Sequence, residues 1–70
     1  MQYTVIIEKE PATDWGAWVP DLPGCVATAK TREEVERLIR ETIEFHLDGM
    51  REDGEPIPEP TSSAIVVDAA

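Results

Sequence analysis

Positive charge is scarce in this 70-residue chain. Six lysines and arginines stand against fifteen aspartates and glutamates, for a formal net charge of −9. Surfaces that bind nucleic acids or anionic membranes need clustered cations to neutralise phosphates. The shortage therefore argues against direct nucleic-acid binding and against membrane binding, and it favours a basic protein as the partner.

Cysteine, histidine and long apolar segments are also in short supply. Cys25 is the only cysteine and His46 the only histidine. A single cysteine cannot form an internal disulfide, so a cytoplasmic location is expected. No apolar run approaches the roughly 20 residues of a membrane-spanning helix, and the first residues lack the basic and apolar regions of a signal peptide.

The composition is typical of a globular protein, since 41% of the residues are hydrophobic. The length predicts one small domain over residues 1–70. A domain of this size buries only about 60% of the surface that its unfolded chain exposes. Its stability is therefore marginal, and burial against a second copy would raise it. We expect a homo-oligomer, either a dimer or a tetramer.

The local patterns predict an α+β domain in the order β-β-β-α-β, an antiparallel-dominated sheet with one helix on one face. Runs of β-branched, aromatic and small residues predict strands over residues 2–8, 15–19, 25–29 and 63–67. Thr31 and Glu34 match a capping box, and the helical spacing of apolar residues after them predicts a helix over about 32–51. Prolines at every second position predict an extended strap over 55–60.

One helix cannot cover both faces of a four-stranded sheet. Trp15 and Trp18 lie three positions apart in one predicted strand, so their side chains point to opposite faces. We expect Trp18 or Trp15, together with Ile6 and Val66, on the uncovered face. An exposed apolar patch of this kind predicts association.

Groups suited to catalysis are few. His46 with Cys25 would make half of a metal site or a nucleophile–base pair, but an edge or satisfied core histidine and a small buried cysteine are the commoner interpretation. Glu8, Asp14, Asp21 and Glu44 are the acids that a metal-dependent nuclease could use. Solvated surface is the commoner role of such charges on a small protein, and we predict no catalytic residue, no metal and no cofactor.

Residues 18–27, with the sequence WVPDLPGCVA, carry the most specific signal. This turn, the helix entered through Thr31 and Glu34, and the later segment 54–58 (GEPIP) resemble the HicB-like antitoxins of type II HicAB toxin–antitoxin systems. The resemblance covers nearly the whole chain. It implies a truncated RNase H-like fold of β-β-β-α-β order.

The resemblance also implies a partner, a small HicA-like toxin that cleaves mRNA and whose active site the antitoxin covers. Many such antitoxins continue into a C-terminal DNA-binding module, and this chain resembles a short form without it. The turn predicts a partner-binding surface made by Trp18, Asp21, Leu22 and Pro23, with Asp21 and Leu22 on display. The same turn could serve only to fix strand register, and an RNase H-like metal-dependent nuclease or an orphan protein-interaction module remain the alternative functions.

Overall fold

The computed structural model describes residues 1–9 and 11–69. Strands β1 (Ile6–Lys9), β2 (Trp15–Trp18) and β3 (Val26–Ala29) precede one helix, α1 (Arg32–Glu52). The strands form an antiparallel sheet in the order β1-β2-β3. The α+β class is therefore confirmed, as three antiparallel strands followed by one helix.

The pairing register separates the two faces of the sheet. Ile7 pairs with Ala17, which pairs with Ala27, and this row faces the helix, with Ala17 buried in the core. The neighbouring row, Ile6–Trp18–Val26, points to the opposite face because side chains alternate along a strand. Trp18 and Val26 remain 41% and 61% exposed there. The prediction of an uncovered apolar face carrying Trp18 and Ile6 is confirmed.

Helix α1 begins where the sequence predicts. The Thr31 hydroxyl accepts a hydrogen bond from the backbone N–H of Glu34 at 3.2 Å, which satisfies one of the free amides of the first turn. Val35 and Ile39 are buried, and the helix packs on β2 and β3. Within residues 1–9 and 11–69, no helix is both long and apolar enough to cross a bilayer.

The first strand is shorter than predicted. Residues 2–5 lie outside the sheet, because β2 reaches only as far as Trp18, the partner of Ile6. Two side chains that precede β1 instead bind the proline-rich strap and the residues that follow it. The Tyr3 hydroxyl donates to the carbonyl of Pro58, and the Thr4 hydroxyl donates to the carbonyl of Ser62 at 2.8 Å. As predicted, residues 55–60 form neither helix nor strand.

The predicted strand over residues 63–67 is wrong for the single chain. No strand is present there, and none of residues 63–69 forms a hydrogen bond within the described chain. Ile65, Val66 and Val67 are 85%, 99% and 69% exposed. A strand requires a paired edge, and high β-propensity does not supply one. Val66 consequently does not lie on the sheet face.

Candidate interaction surface

The turn that joins β2 to β3 is closed by backbone hydrogen bonds. The Val19 N–H donates to the carbonyl of Cys25 at 3.2 Å, and the Cys25 N–H donates to the carbonyl of Leu22 at 3.1 Å. Gly24 has φ = +83°, a left-handed backbone conformation that residues with a Cβ atom rarely adopt. Pro20 and Pro23, on either side of Asp21 and Leu22, restrict the remaining backbone freedom. The turn is therefore rigid, as the sequence predicts.

Leu22 is not displayed by this turn, and that part of the prediction is wrong. Its side chain is only 1% exposed and packs in the core with Val19 and Cys25. Its own N–H donates to the carbonyl of Val19 at 3.1 Å, which closes the backbone locally. An apolar side chain gains more from the core than from solvent, so it anchors the turn from within.

Cys25 is buried beside Leu22, as its small apolar character predicts. Burial raises the pKa of the Cys25 thiol, because the thiolate loses its hydration there. The thiol is therefore protonated at neutral pH and is poorly suited to attack a substrate.

Asp21 faces the two residues that follow the strap, Thr61 and Ser62, and binds them through four hydrogen bonds. Its Oδ2 accepts from the backbone N–H groups of Thr61 and Ser62, at 3.1 and 3.0 Å. Its Oδ1 accepts from the hydroxyls of the same two residues, at 2.9 and 3.0 Å. We call this arrangement of Asp21, Thr61 and Ser62 the clamp. It joins the turn to a segment 40 positions away.

The charge of Asp21 is stabilised by the clamp. The backbone N–H of Ser62 is the main cause that lowers the pKa of the Asp21 carboxyl below its ordinary value of 3.8, and partial burial opposes it. The two hydroxyls and the Thr61 N–H also lower this pKa. Hydrogen bonds to a carboxylate favour its ionised form. The clamp is therefore formed with an anionic Asp21.

Trp18 lies at the end of β2, just before the turn, on the face that the helix leaves uncovered. Its indole Nε1 donates to a carboxylate oxygen of Glu8 at 3.3 Å, which fixes the ring against β1. Ile6 and Val26 are its neighbours in the pairing register. Pro23 is exposed in the turn that follows. Trp18 and Pro23 are thus the accessible members of the predicted surface.

Sequence reasoning missed Thr61 and Ser62. They follow the strap and carry no local pattern that points to Asp21, because a contact across 40 positions leaves no periodicity in one sequence. The only available signals were a turn aspartate and two adjacent hydroxyl residues.

The residues considered for catalysis do not form a recognisable metal centre. Within residues 1–9 and 11–69, no three or more histidine, cysteine, aspartate or glutamate side chains are placed to hold a metal ion. His46 is half-buried on the helix. Asp21, one of the four acids considered for a nuclease, is engaged by the clamp.

Comparisons of the sequence with known proteins identify several relatives. The chain is 36% identical over 69 residues to a UPF0150 protein of Thermoplasma acidophilum, covering 99% of this chain and all of that protein. It is 37% identical over 57 residues to a UPF0150 protein of Archaeoglobus fulgidus, covering 79% of this chain and 83% of the relative. An uncharacterised 14.9 kDa protein of Haemophilus phage HP1 is 40% identical over 58 residues, which are 83% of this chain but 43% of the phage protein.

A match to a protein-family model identifies the family of this chain. Residues 3–69 match the HicB-like antitoxin of bacterial toxin–antitoxin systems, and this span includes the sheet, the rigid turn, the helix and the clamp. The chain therefore belongs to the HicB-like antitoxin family.

Proposed function

We propose that this protein neutralises a small, basic, HicA-like mRNA-cleaving toxin by covering the active site of that toxin. The observation that carries the proposal is Trp18, an aromatic residue left 41% exposed beside a rigid turn. Large aromatic side chains with little freedom to lose on binding are favoured anchors at protein interfaces. Both proteins would act in the cytoplasm, where the mRNA is.

Charge supports a basic ribonuclease as the partner. A toxin that binds RNA presents cations to phosphates, and a protein with a net charge of −9 competes for those cations. The attraction speeds encounter and weakens as salt increases. It requires no catalysis by the antitoxin, so we assign it no enzymatic activity and no cofactor.

The proposed contact surface is the turn and the aromatic residue beside it. Trp18 and Pro23 contribute exposed area, and Leu22 holds the turn in place from the core. Asp21 contributes negative charge to this surface and holds the turn in place. Its carboxylate has about four acceptor sites, and the clamp supplies four donors. Asp21 therefore positions the turn more than it binds a toxin cation directly.

The acids of the helix are the less favoured contacts. Glu41 pairs with Arg37 at 3.3 Å, and Asp48 pairs with Arg51 at 3.0 Å, with all four side chains more than half exposed. Exposed pairs of this kind contribute little to stability. They are best described as solvated surface.

We expect the gene beside this one to encode a small basic protein, and the test is to mix the two purified proteins. We expect a complex on size-exclusion chromatography and protection of an RNA substrate from cleavage. Trp18→Ala should weaken inhibition at least tenfold, which corresponds to about 1.4 kcal/mol of binding free energy. Phe45→Ala is the matched control, because Phe45 is an aromatic residue 82% exposed on the helix.

Two results would overturn the proposal. One is the absence of both complex and RNA protection with a folded protein. The other is a Phe45→Ala variant that loses as much inhibition as Trp18→Ala, because binding would then not depend on the sheet face and its turn.

A further inference from the structure

The two tryptophans of β2 lie on opposite faces of the sheet, and the one on the helix side has a cation over its ring. The guanidinium of Arg32 lies 5.9 Å from the centroid of the Trp15 ring. The Nε of Arg32 also lies 3.5 Å from a carboxylate oxygen of Glu36. Trp15 therefore belongs to a group of three side chains, an aromatic ring, a guanidinium and a carboxylate.

The uncovered face carries an aromatic ring and a carboxylate in a similar relation. Trp18 is 41% exposed there, and its indole Nε1 donates to Oε1 of Glu8 at 3.3 Å. Within residues 1–9 and 11–69, no lysine or arginine lies over the Trp18 ring, and Oε2 of Glu8 accepts no hydrogen bond. Both groups are thus open to a cation from another molecule.

The surface beside these two side chains has room for a long side chain. Gly16 pairs with Glu8 in the register and lies on the same face as Trp18. Among the described residues, apart from its chain neighbours, a Cβ atom at Gly16 would meet one heavy atom within 4 Å, the carbonyl oxygen of Glu8 at 3.9 Å. The backbone at Gly16 therefore forms an open floor on which an aliphatic side-chain stem can lie.

The charge of this face favours a cation as the ligand. Glu8 is the one charged residue that β1, β2 and β3 place there, and the other strand residues of the face are Ile6, Gly16, Trp18, Val26 and Thr28. Because these neighbours are uncharged, a cation that binds Glu8 meets no like charge from the strands on this face. Apolar surroundings also exclude water, which strengthens the attraction between the two charges.

We propose that Trp18 and Glu8 bind an arginine side chain of the toxin, with its guanidinium over the indole ring and donating to Oε2 of Glu8. The inference rests on the proposed function for the identity of the partner. Arginine fits this pair better than lysine, because the planar guanidinium stacks on aromatic rings and donates to a carboxylate in fixed directions. The hydrogen bond between Trp18 and Glu8 holds both acceptors in place before the arginine arrives.

An arginine site gives the inhibition a chemical basis. Arginine is well suited to bind phosphate and to stack on bases, so a ribonuclease uses it where RNA lies. The indole of Trp18 and the carboxylate of Glu8 offer the same two features, a flat aromatic ring and an anionic oxygen. An arginine held by this pair is no longer available to the RNA.

The first experiment tests the site on the free protein, with two blocked tripeptides as probes, one with a central arginine and one with a central lysine between glycines. NMR follows the indole N–H signals of both tryptophans. We expect the arginine peptide to shift the Trp18 signal and to leave the Trp15 signal in place, because Arg32 already lies over that ring. The lysine peptide should bind roughly threefold more weakly.

The decisive variant is Glu8→Gln, which keeps a side-chain oxygen for the indole N–H and removes the charge. It should raise the Kd of the arginine peptide roughly threefold, and calorimetry should show a rise of about tenfold in the Kd of the toxin. Glu44→Gln is the matched control, because it makes the same change in net charge at an exposed glutamate on the helix. It should alter neither Kd.

The outcomes separate this inference from the proposed function. A toxin that binds Glu8→Gln as tightly as the native chain, or that loses as much affinity with Glu44→Gln, overturns the arginine site and leaves the proposed function standing. An arginine peptide that shifts Trp18 while no toxin complex forms supports the site and overturns the toxin as its ligand. A Trp18 signal that moves only with the concentration of this protein shows that a second copy covers the face, which also overturns the inference.

Discussion

The carboxylate of Asp21 accepts two hydrogen bonds from Ser62, one from the backbone N–H and one from the hydroxyl, each at 3.0 Å. Thr61 donates two more to the same carboxylate. This clamp joins the rigid turn after β2 to the residues that directly follow the strap. It therefore fixes the turn next to Trp18 against the segment that follows the strap.

The first prediction concerns removal of the Asp21 charge. Asp21→Asn keeps one side-chain oxygen and replaces the other with a donor, so two of the four donor groups of Thr61 and Ser62 lose their acceptor. We expect the amides of Thr61 and Ser62 to exchange with solvent at least tenfold faster, while amides of the sheet and helix stay protected. Hydrogen exchange measured residue by residue by NMR checks this result.

Asp14→Asn is the matched control. It makes the same chemical change at an exposed aspartate just before β2 and away from the strap. It should leave exchange at Thr61 and Ser62 unchanged. Equal exchange in Asp21→Asn and the native chain would show that the clamp does not hold the strap in solution.

The second prediction concerns acid. The pKa of Asp21 in the folded protein lies below its ordinary value of 3.8. Its contribution to stability is therefore fully present above pH 3.8 and is lost as the pH falls through the lowered folded value. We expect the Thr61 and Ser62 amides to lose protection in that acidic range.

NMR titration of the Asp21 side-chain carboxyl carbon measures its pKa directly. The Asp21→Asn variant serves as the control. Exchange of its Thr61 and Ser62 amides should no longer depend on this ionisation. A carboxyl that titrates at or above 3.8 would contradict the structural assignment of four donors to the ionised group.

The sequence predicted local elements well and long-range contacts poorly. The helix bounds followed from the Thr31 cap and the apolar spacing, which are interactions between near neighbours. The strand over residues 63–67 was mispredicted because β-branched residues indicate strand preference without indicating a partner edge. Leu22 was misplaced because a turn pattern gives backbone shape but not the direction of one apolar side chain.

The third prediction tests the role of Leu22 as an anchor. Leu22→Ala removes a side chain that is 1% exposed, so both burial and packing are lost. Substitutions of this kind cost about 2–5 kcal/mol in the free energy of unfolding. Urea denaturation at fixed protein concentration measures the loss. Phe45→Ala is the control, since Phe45 is 82% exposed and should change stability by less than about 0.5 kcal/mol.

A small effect of Leu22→Ala, comparable to that of the control, would mean that the turn does not depend on the core for its position. The proposed contact surface would then lose its structural basis, because Trp18 and Pro23 would not be held in a fixed relation.

The last prediction concerns the start of the helix. Thr31→Ala removes the hydroxyl that accepts from the Glu34 N–H at 3.2 Å. Loss of such a cap costs about 1 kcal/mol in the free energy of unfolding, because the amide of the first turn loses its acceptor. Thr31→Ser keeps the acceptor and should restore most of the stability. Urea denaturation of both variants measures the difference. If serine destabilised the protein as much as alanine, the methyl group of Thr31 rather than its hydroxyl would be the stabilising part, and the cap would contribute nothing measurable to this fold.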